Sequence, residues 1–110
     1  MSDLCIQIQP GRAGGVDLEQ VRAVAAQIAG DETLVMRFAV VEGEDWVNLM
    51  FATARPAALW DAVQRELYGH AGFGAALRRC SMAMCEGRSG WDDYRLLHHF
   101  DPQQPLDDLS

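Results

Sequence analysis

Apolar and polar residues alternate with a period of two near the start of the chain. Leu4, Ile6 and Ile8 occupy every second position, and Gln7 and Gln9 fill the positions between and after them. Successive side chains of a strand point to opposite faces of its sheet. The alternation therefore predicts a strand that buries one face and leaves polar side chains on the other.

Four later stretches also carry a strand pattern. The predicted strands are residues 33–41, 46–54, 81–85 and 94–100. Residues 33–41 are apolar on both faces, which is typical of a central strand. Residues 86–93 are polar and glycine-containing, so we expect a longer loop there. The more apolar face of the third strand carries Val47, Leu49 and Phe51.

Two stretches have the spacing of a helix. Asp17 is placed to cap the first helix, and Gly30 is expected to end it in a left-handed conformation. Pro56 opens the second helix, because proline fits the first turn, and Gly69 ends it. A short helical turn is expected at residues 75–79. The apolar positions of the first helix are Leu18, Val21, Val24, Ala25 and Ile28.

This element order predicts an α+β fold. Its first six elements match a ferredoxin-like β-α-β-β-α-β arrangement, an antiparallel sheet with two helices on one face, and an additional C-terminal strand extends the sheet. We expect a single α+β domain over residues 1–102 and an extended acidic C-terminal tail over residues 103–110. Because residues 33–41 are apolar on both faces, the sheet face opposite the helices needs a cover. The tail, a second chain or a ligand could provide it.

The charge balance is acidic. The formal net charge is −7, and all the positive side chains are arginines. Nucleic acids and anionic membranes attract a net positive surface, so we expect no nucleic acid and no membrane among the partners. A basic protein partner or self-association remains compatible with this charge.

Cysteine usage and the absence of a long apolar run bear on the compartment. Cys5, Cys80 and Cys85 make an odd number, unlike the even number of a secreted disulfide framework. The first residues show no secretory signal pattern. We therefore expect a cytoplasmic protein with reduced thiols.

Cys80, Cys85, His98 and His99 are the residues that could ligate a metal. Thiolates and imidazoles are zinc ligands. However, the two cysteines are five positions apart and the two histidines are adjacent. On regular strands each pair points to opposite faces, so at most one cysteine and one histidine share a face. We expect no metal and no cofactor.

A nucleophilic arrangement is the next candidate. Cys85 as nucleophile, His98 or His99 as base, and Asp92 or Asp93 as the orienting carboxylate would form a catalytic triad. The four residues before Cys85 are small or apolar, and such surroundings favour an unreactive core thiol. We therefore assign no catalytic residue and expect a protein that is not an enzyme.

The segment Trp91, Asp92, Asp93 and Tyr94 is the candidate partner-binding site. Partly exposed aromatic residues often anchor protein contacts. The two carboxylates can receive an arginine or lysine of a basic partner. The competing interpretation is a loop whose tryptophan folds back onto the sheet.

The leading hypothesis is a non-enzymatic protein-interaction module that binds through its sheet face or its 86–93 loop. One concrete version is a small acidic bacterial inhibitor of the immunity-protein kind, directed at a basic partner. The alternative is a small-molecule binding protein or enzyme whose site forms across a dimer of α+β barrel subunits. The pocket residues of that alternative are Arg37, Trp46, His98 and His99.

Overall fold

A computed structural model describes residues 1–109, which form five strands and three α-helices. In chain order they are β1 (Ser2–Ile8), α1 (Leu18–Ala29), β2 (Arg37–Glu42), β3 (Val47–Thr53), α2 (Pro56–Val63), α3 (Gly74–Cys80), β4 (Ser81–Gly87) and β5 (Gly90–His98). A 3₁₀ turn at Pro10–Arg12 follows β1, and a π-helical turn at Gln64–Tyr68 continues α2. These elements confirm the α+β class.

The helix starts follow the sequence signals, whereas one helix end does not. The Asp17 side chain accepts a hydrogen bond from the N–H of Gln20 at 3.2 Å, which caps α1. Pro56 occupies the first turn of α2. Gly30 has a φ of −70°, so the predicted left-handed stop is wrong. Its N–H instead bonds back to the carbonyls of Ala26 and Gln27.

The five strands form one antiparallel sheet in the order β2-β3-β1-β4-β5. β1 is the central strand, and β5 extends the sheet beside β4, as predicted for the additional strand. Leu4, Ile6 and Ile8 of β1 are fully buried. They lie opposite the apolar residues of β3 in the register Leu4–Phe51, Ile6–Leu49 and Ile8–Val47.

β2 lies at an edge of the sheet, so its prediction as a central strand is wrong. The strand also begins at Arg37, because Asp31 holds the preceding residues in a turn. Its carboxylate accepts hydrogen bonds from the N–H and hydroxyl of Thr33, and its carbonyl accepts the N–H of Val35. Val35 reaches the core from this turn, whereas Val41 on the strand is 48% exposed.

The prediction of a longer loop over residues 86–93 is wrong as well. β4 and β5 are joined by a tight turn of two residues, and Gly87 pairs with Gly90 across it. Gly90 has a φ of +85°, a conformation that glycine adopts without strain. A Cβ on Gly87 would lie 1.8 Å from the carbonyl oxygen of Asp93, so the two strands need glycine there to approach each other.

The chain after β5 returns to the sheet edge. The N–H of Asp107 donates to the carbonyl of Leu96 at 2.8 Å, and the N–H of Leu96 donates to the Asp107 carboxylate at 2.9 Å. Leu109 packs against the core. These residues therefore contact the outer edge of β5.

The helices pack on one side of the sheet, which we call the closed face. One continuous core joins the inward strand residues to residues of all three helices. The residues of the three α-helices at zero exposure in this core are Val21, Ala25, Leu59, Val63, Leu77 and Cys80. The opposite side, made by the alternate strand residues, is called the open face.

Candidate functional site

A row of apolar side chains crosses the open face, with one residue from each strand. The register places Ala39 beside Met50, Met50 beside Cys5, Cys5 beside Met84, and Met84 beside Leu96. Facing residues of antiparallel strands share a face and touch. Cys5 is only 5% exposed at the centre of the row. The two methionines and Leu96 are half-buried, and Ala39 is exposed.

Four carboxylates lie at one end of β1, β4 and β5, which we call the acidic end (Asp3, Glu86, Asp92 and Asp93). Asp3 and Glu86 lie two residues from Cys5 and Met84, so they share the open face. The Glu86 carboxylate accepts a hydrogen bond from the N–H of Asp3 at 2.6 Å. Asp93 is brought beside Gly87 by the close approach of β4 and β5.

The predicted partner-binding segment lies within β5 instead of in a loop. Trp91 is 40% exposed and Tyr94 is 51% exposed. Asp92 and Asp93 between them are exposed too. β5 therefore presents to solvent two aromatic side chains and the two carboxylates that it contributes to the acidic end.

The alternative pocket residues line three different cavities of one chain. Arg37 lines a cavity of about 480 Å³ on the open face. Trp46 lines a second one of about 570 Å³ beside the β2–β3 hairpin. His98 and His99 line a third one of about 580 Å³. A single subunit does not bring the four side chains together, so this interpretation stays a prediction about a dimer.

The three thiols are free and buried. Burial, followed by the negative charge of Asp3, raises the pKa of Cys5 to about 11. Burial also raises the pKa of Cys80 and of Cys85. A thiol is a nucleophile only as its thiolate, so these environments suppress reactivity. Within residues 1–109, no three His, Cys, Asp or Glu side chains are grouped to hold a metal ion.

His98, at the end of β5, and His99, which follows it, each make a hydrogen bond to a backbone group. The Nε2–H of His98 donates to the carbonyl of Arg78 at 2.9 Å. Burial lowers the pKa of His98; the hydrogen bond to Arg78 opposes this shift, and nearby Arg78 and His99 add to it. The Nδ1 of His99 accepts the N–H of Asp101 at 2.9 Å. Neither contact involves a thiol.

The sequence predicted an apolar sheet face opposite the helices, but neither the cross-strand order of the apolar row nor the carboxylates Asp3 and Glu86. The alternation within β1 and within β4 predicts which residues of each strand share a face with Cys5 and with Met84. That Cys5 and Met84 are neighbours in one row follows from the register between β1 and β4, which a local sequence pattern does not specify. The register also placed Asp3 and Glu86 in contact although they are 83 positions apart.

No helix within residues 1–109 combines the length and apolarity needed to cross a membrane. Comparison of the chain with models of protein families, with curated proteins and with solved structures gives no match.

Proposed function

We propose that this protein is a non-enzymatic interaction module that binds a basic protein partner through its open face. The single observation that carries the proposal is the partly exposed apolar row, with the acidic end beyond it. A small acidic inhibitor of the immunity-protein kind is the concrete form that we favour. The short chain and the net charge of −7 support that form.

A ferredoxin-like arrangement is part of this proposal. β3 lies between β1 and β2, and β1 lies between β3 and β4. Each helical crossover is therefore split by one strand, as in a split βαβ unit. In such an arrangement both crossover helices cover the same side, which leaves the other side of the sheet available for a partner.

The apolar row supports docking because removing its side chains from water on binding contributes a favourable free energy. Burial of apolar surface contributes roughly 25 cal/mol per Å². Met50 and Met84 are unbranched and adapt their shape to a partner surface.

The acidic end supports a partner of positive charge. Asp3, Glu86, Asp92 and Asp93 lie at the same end of β1, β4 and β5 and would pair with arginine or lysine side chains. Complementary charge steers diffusional encounter and makes association sensitive to salt. Trp91 and Tyr94 add exposed aromatic surface next to these carboxylates.

The test uses an open-face variant with a matched control. Met84→Gln changes a half-buried residue of the apolar row, and Met36→Gln makes the same change at a residue that precedes β2 and is 63% exposed. Protein captured from the native host by the wild type is identified, purified and titrated against both variants. We expect Met84→Gln to weaken binding by about tenfold and Met36→Gln to leave it unchanged.

A second pair of variants tests the acidic end. Asp92→Asn with Asp93→Asn should weaken binding and flatten its dependence on salt. Glu32→Gln with Asp61→Asn removes the same charge from exposed positions away from the sheet and should do neither. Equal affinities for the sheet variants and their controls would contradict the proposal. A stable dimer that Met84→Gln dissociates would assign the open face to self-association instead.

A further inference from the structure

A second feature lies at the end of β4 and β5 opposite the acidic end. Residues of α3, of the end of β5 and of the chain after it line an open cavity of about 580 Å³, which we call the basic cavity. This volume lies within the range of small-molecule sites. The lining residues that matter are Arg78, Arg79, His98, His99, Phe100 and Leu106.

Positive side chains are concentrated there although the protein as a whole is acidic. Arg78 and Arg79 are adjacent in the last turn of α3 and line the cavity, and Arg12 borders it. None of the ion pairs within residues 1–109 involves these three arginines. Asp101 is the one carboxylate among the lining residues, and its oxygen accepts the N–H of Gln103 at 2.9 Å.

Apolar surface forms the other side of the basic cavity. Phe100, Pro102 and Leu106 line it. The guanidinium of Arg12 lies 3.8 Å from the centre of the Phe100 ring, which holds this ring against the 3₁₀ turn after β1. The ring of His99 lies 4.2 Å from the Phe100 ring, between centroids. Cationic and apolar walls thus meet in one space.

His99 contributes a hydrogen-bond donor to the basic cavity. The Nδ1 of His99 accepts a backbone hydrogen bond, so its Nε2 carries the proton in the neutral ring. The positive charges of Arg78 and His99 contribute to the lowered pKa of His98. Anions bound near these groups would relieve that repulsion.

We infer that the basic cavity binds a small organic anion, a phosphate or carboxylate group carried on an apolar body. Arg78 and Arg79 hold the charged group, and Phe100 and Leu106 contact the body. Guanidinium groups match the planar and bidentate geometry of such anions. This site does not depend on the open face or on the proposed protein partner.

The probe is phenyl phosphate, titrated by calorimetry and by NMR of the histidine ring protons. Inorganic phosphate provides the charge alone, and phenol provides the apolar body alone. We expect phenyl phosphate to bind at least about tenfold more tightly than either one. On saturation, the pKa of His98 measured by NMR should rise, because a bound anion favours the imidazolium.

Two double variants that each remove two positive charges distinguish binding in the basic cavity from a general effect of the protein's charge. Arg78→Gln with Arg79→Gln should weaken phenyl phosphate binding by at least about tenfold. Arg65→Gln with Arg88→Gln removes the same charge from exposed positions outside the cavity and should leave binding unchanged. The NMR pKa of His98 in the wild type provides a readout that does not require either variant to fold.

The inference is overturned if phenyl phosphate fails to bind the wild type. It is also overturned if both double variants weaken binding equally, or if saturation leaves the pKa of His98 unchanged. If inorganic phosphate binds as tightly as phenyl phosphate, the apolar side chains do not contribute to binding, and the inference of an anion with an apolar body is wrong.

Discussion

The two faces of one sheet differ in what their alternate residues do. On the closed face, Leu4, Ile6 and Leu49 have no exposure and meet the helices. On the open face, the residues next to them in sequence are Cys5 and Met50, which lie opposite each other in the strand register. The same backbone therefore carries a core on one side and a half-covered apolar row on the other. The closed face stabilises the fold, and the open face is the surface that we propose for partner binding.

The comparison predicts its largest effect on stability for neighbouring residues of β3. Leu49→Ala removes buried side-chain volume and should lower the free energy of unfolding by about 3 kcal/mol. Met50→Ala, one residue further along, should lower it by about 1 kcal/mol, because Met50 is half-buried without helices above it. Urea denaturation of both variants provides the measurement. Equal losses would mean that the two faces contribute alike.

Thiol labelling compares the faces through Cys5 and Cys85. Both thiols have a raised pKa, and the pKa of Cys5 is about 11, so the labelling rate of each should increase with pH. Reagent can reach Cys5 by movement of the methionines beside it, whereas Cys85 reacts only when the core opens. We expect Cys5 to react about tenfold faster or more under native conditions.

A disulfide-exchange reagent at constant pH provides that measurement. The wild type should show one fast thiol and two slow ones, and Cys5→Ser should remove the fast phase. Three thiols that react together, at the rate of global unfolding, would show that the open face is as closed as the core.

The smallest predicted effect concerns pH and His98. Its pKa is lowered in the folded protein, chiefly by burial, so the unfolded chain takes up the proton first as the pH falls. Stability is therefore complete above the unfolded pKa of about 6.5, is lost as the pH falls towards the folded pKa, and is constant below it. The loss within this window is at most about 1.4 kcal/mol per pH unit.

Denaturation of His98→Gln between pH 5 and pH 7.5, roughly the window of a histidine, measures this contribution. The variant should lose less stability on acidification than the wild type. Met50→Ala changes the open face and should retain the wild-type dependence on pH. A wild-type dependence in His98→Gln would assign the effect to other groups.

Local patterns were enough for much of the architecture. Asp17 and Pro56 marked helix starts that the structure has, because caps and first-turn prolines act within a few residues. The alternation of Leu4, Ile6 and Ile8 assigned their side of the sheet correctly, since side-chain direction follows from the period of a strand alone.

Patterns failed where a distant contact or a turn decided the outcome. Residues 33–36 looked like strand, but Asp31 folds them into a hydrogen-bonded turn. Residues 86–93 looked like a loop because glycine and charged residues are frequent there. The close approach of Gly87 to Asp93 makes them part of a tight hairpin instead.

By itself, the sequence determined which residues alternate, where helices begin, and that the protein carries excess negative charge. Only the tertiary structure decided that β2 is an edge strand and that one side chain from each strand forms the apolar row. The same holds for the basic cavity, whose arginines and histidines are separated by about 20 positions along the chain. The physical reason is that strand register and hydrogen bonds between distant segments depend on the simultaneous packing of the whole chain, whereas periodicity and capping depend on near neighbours.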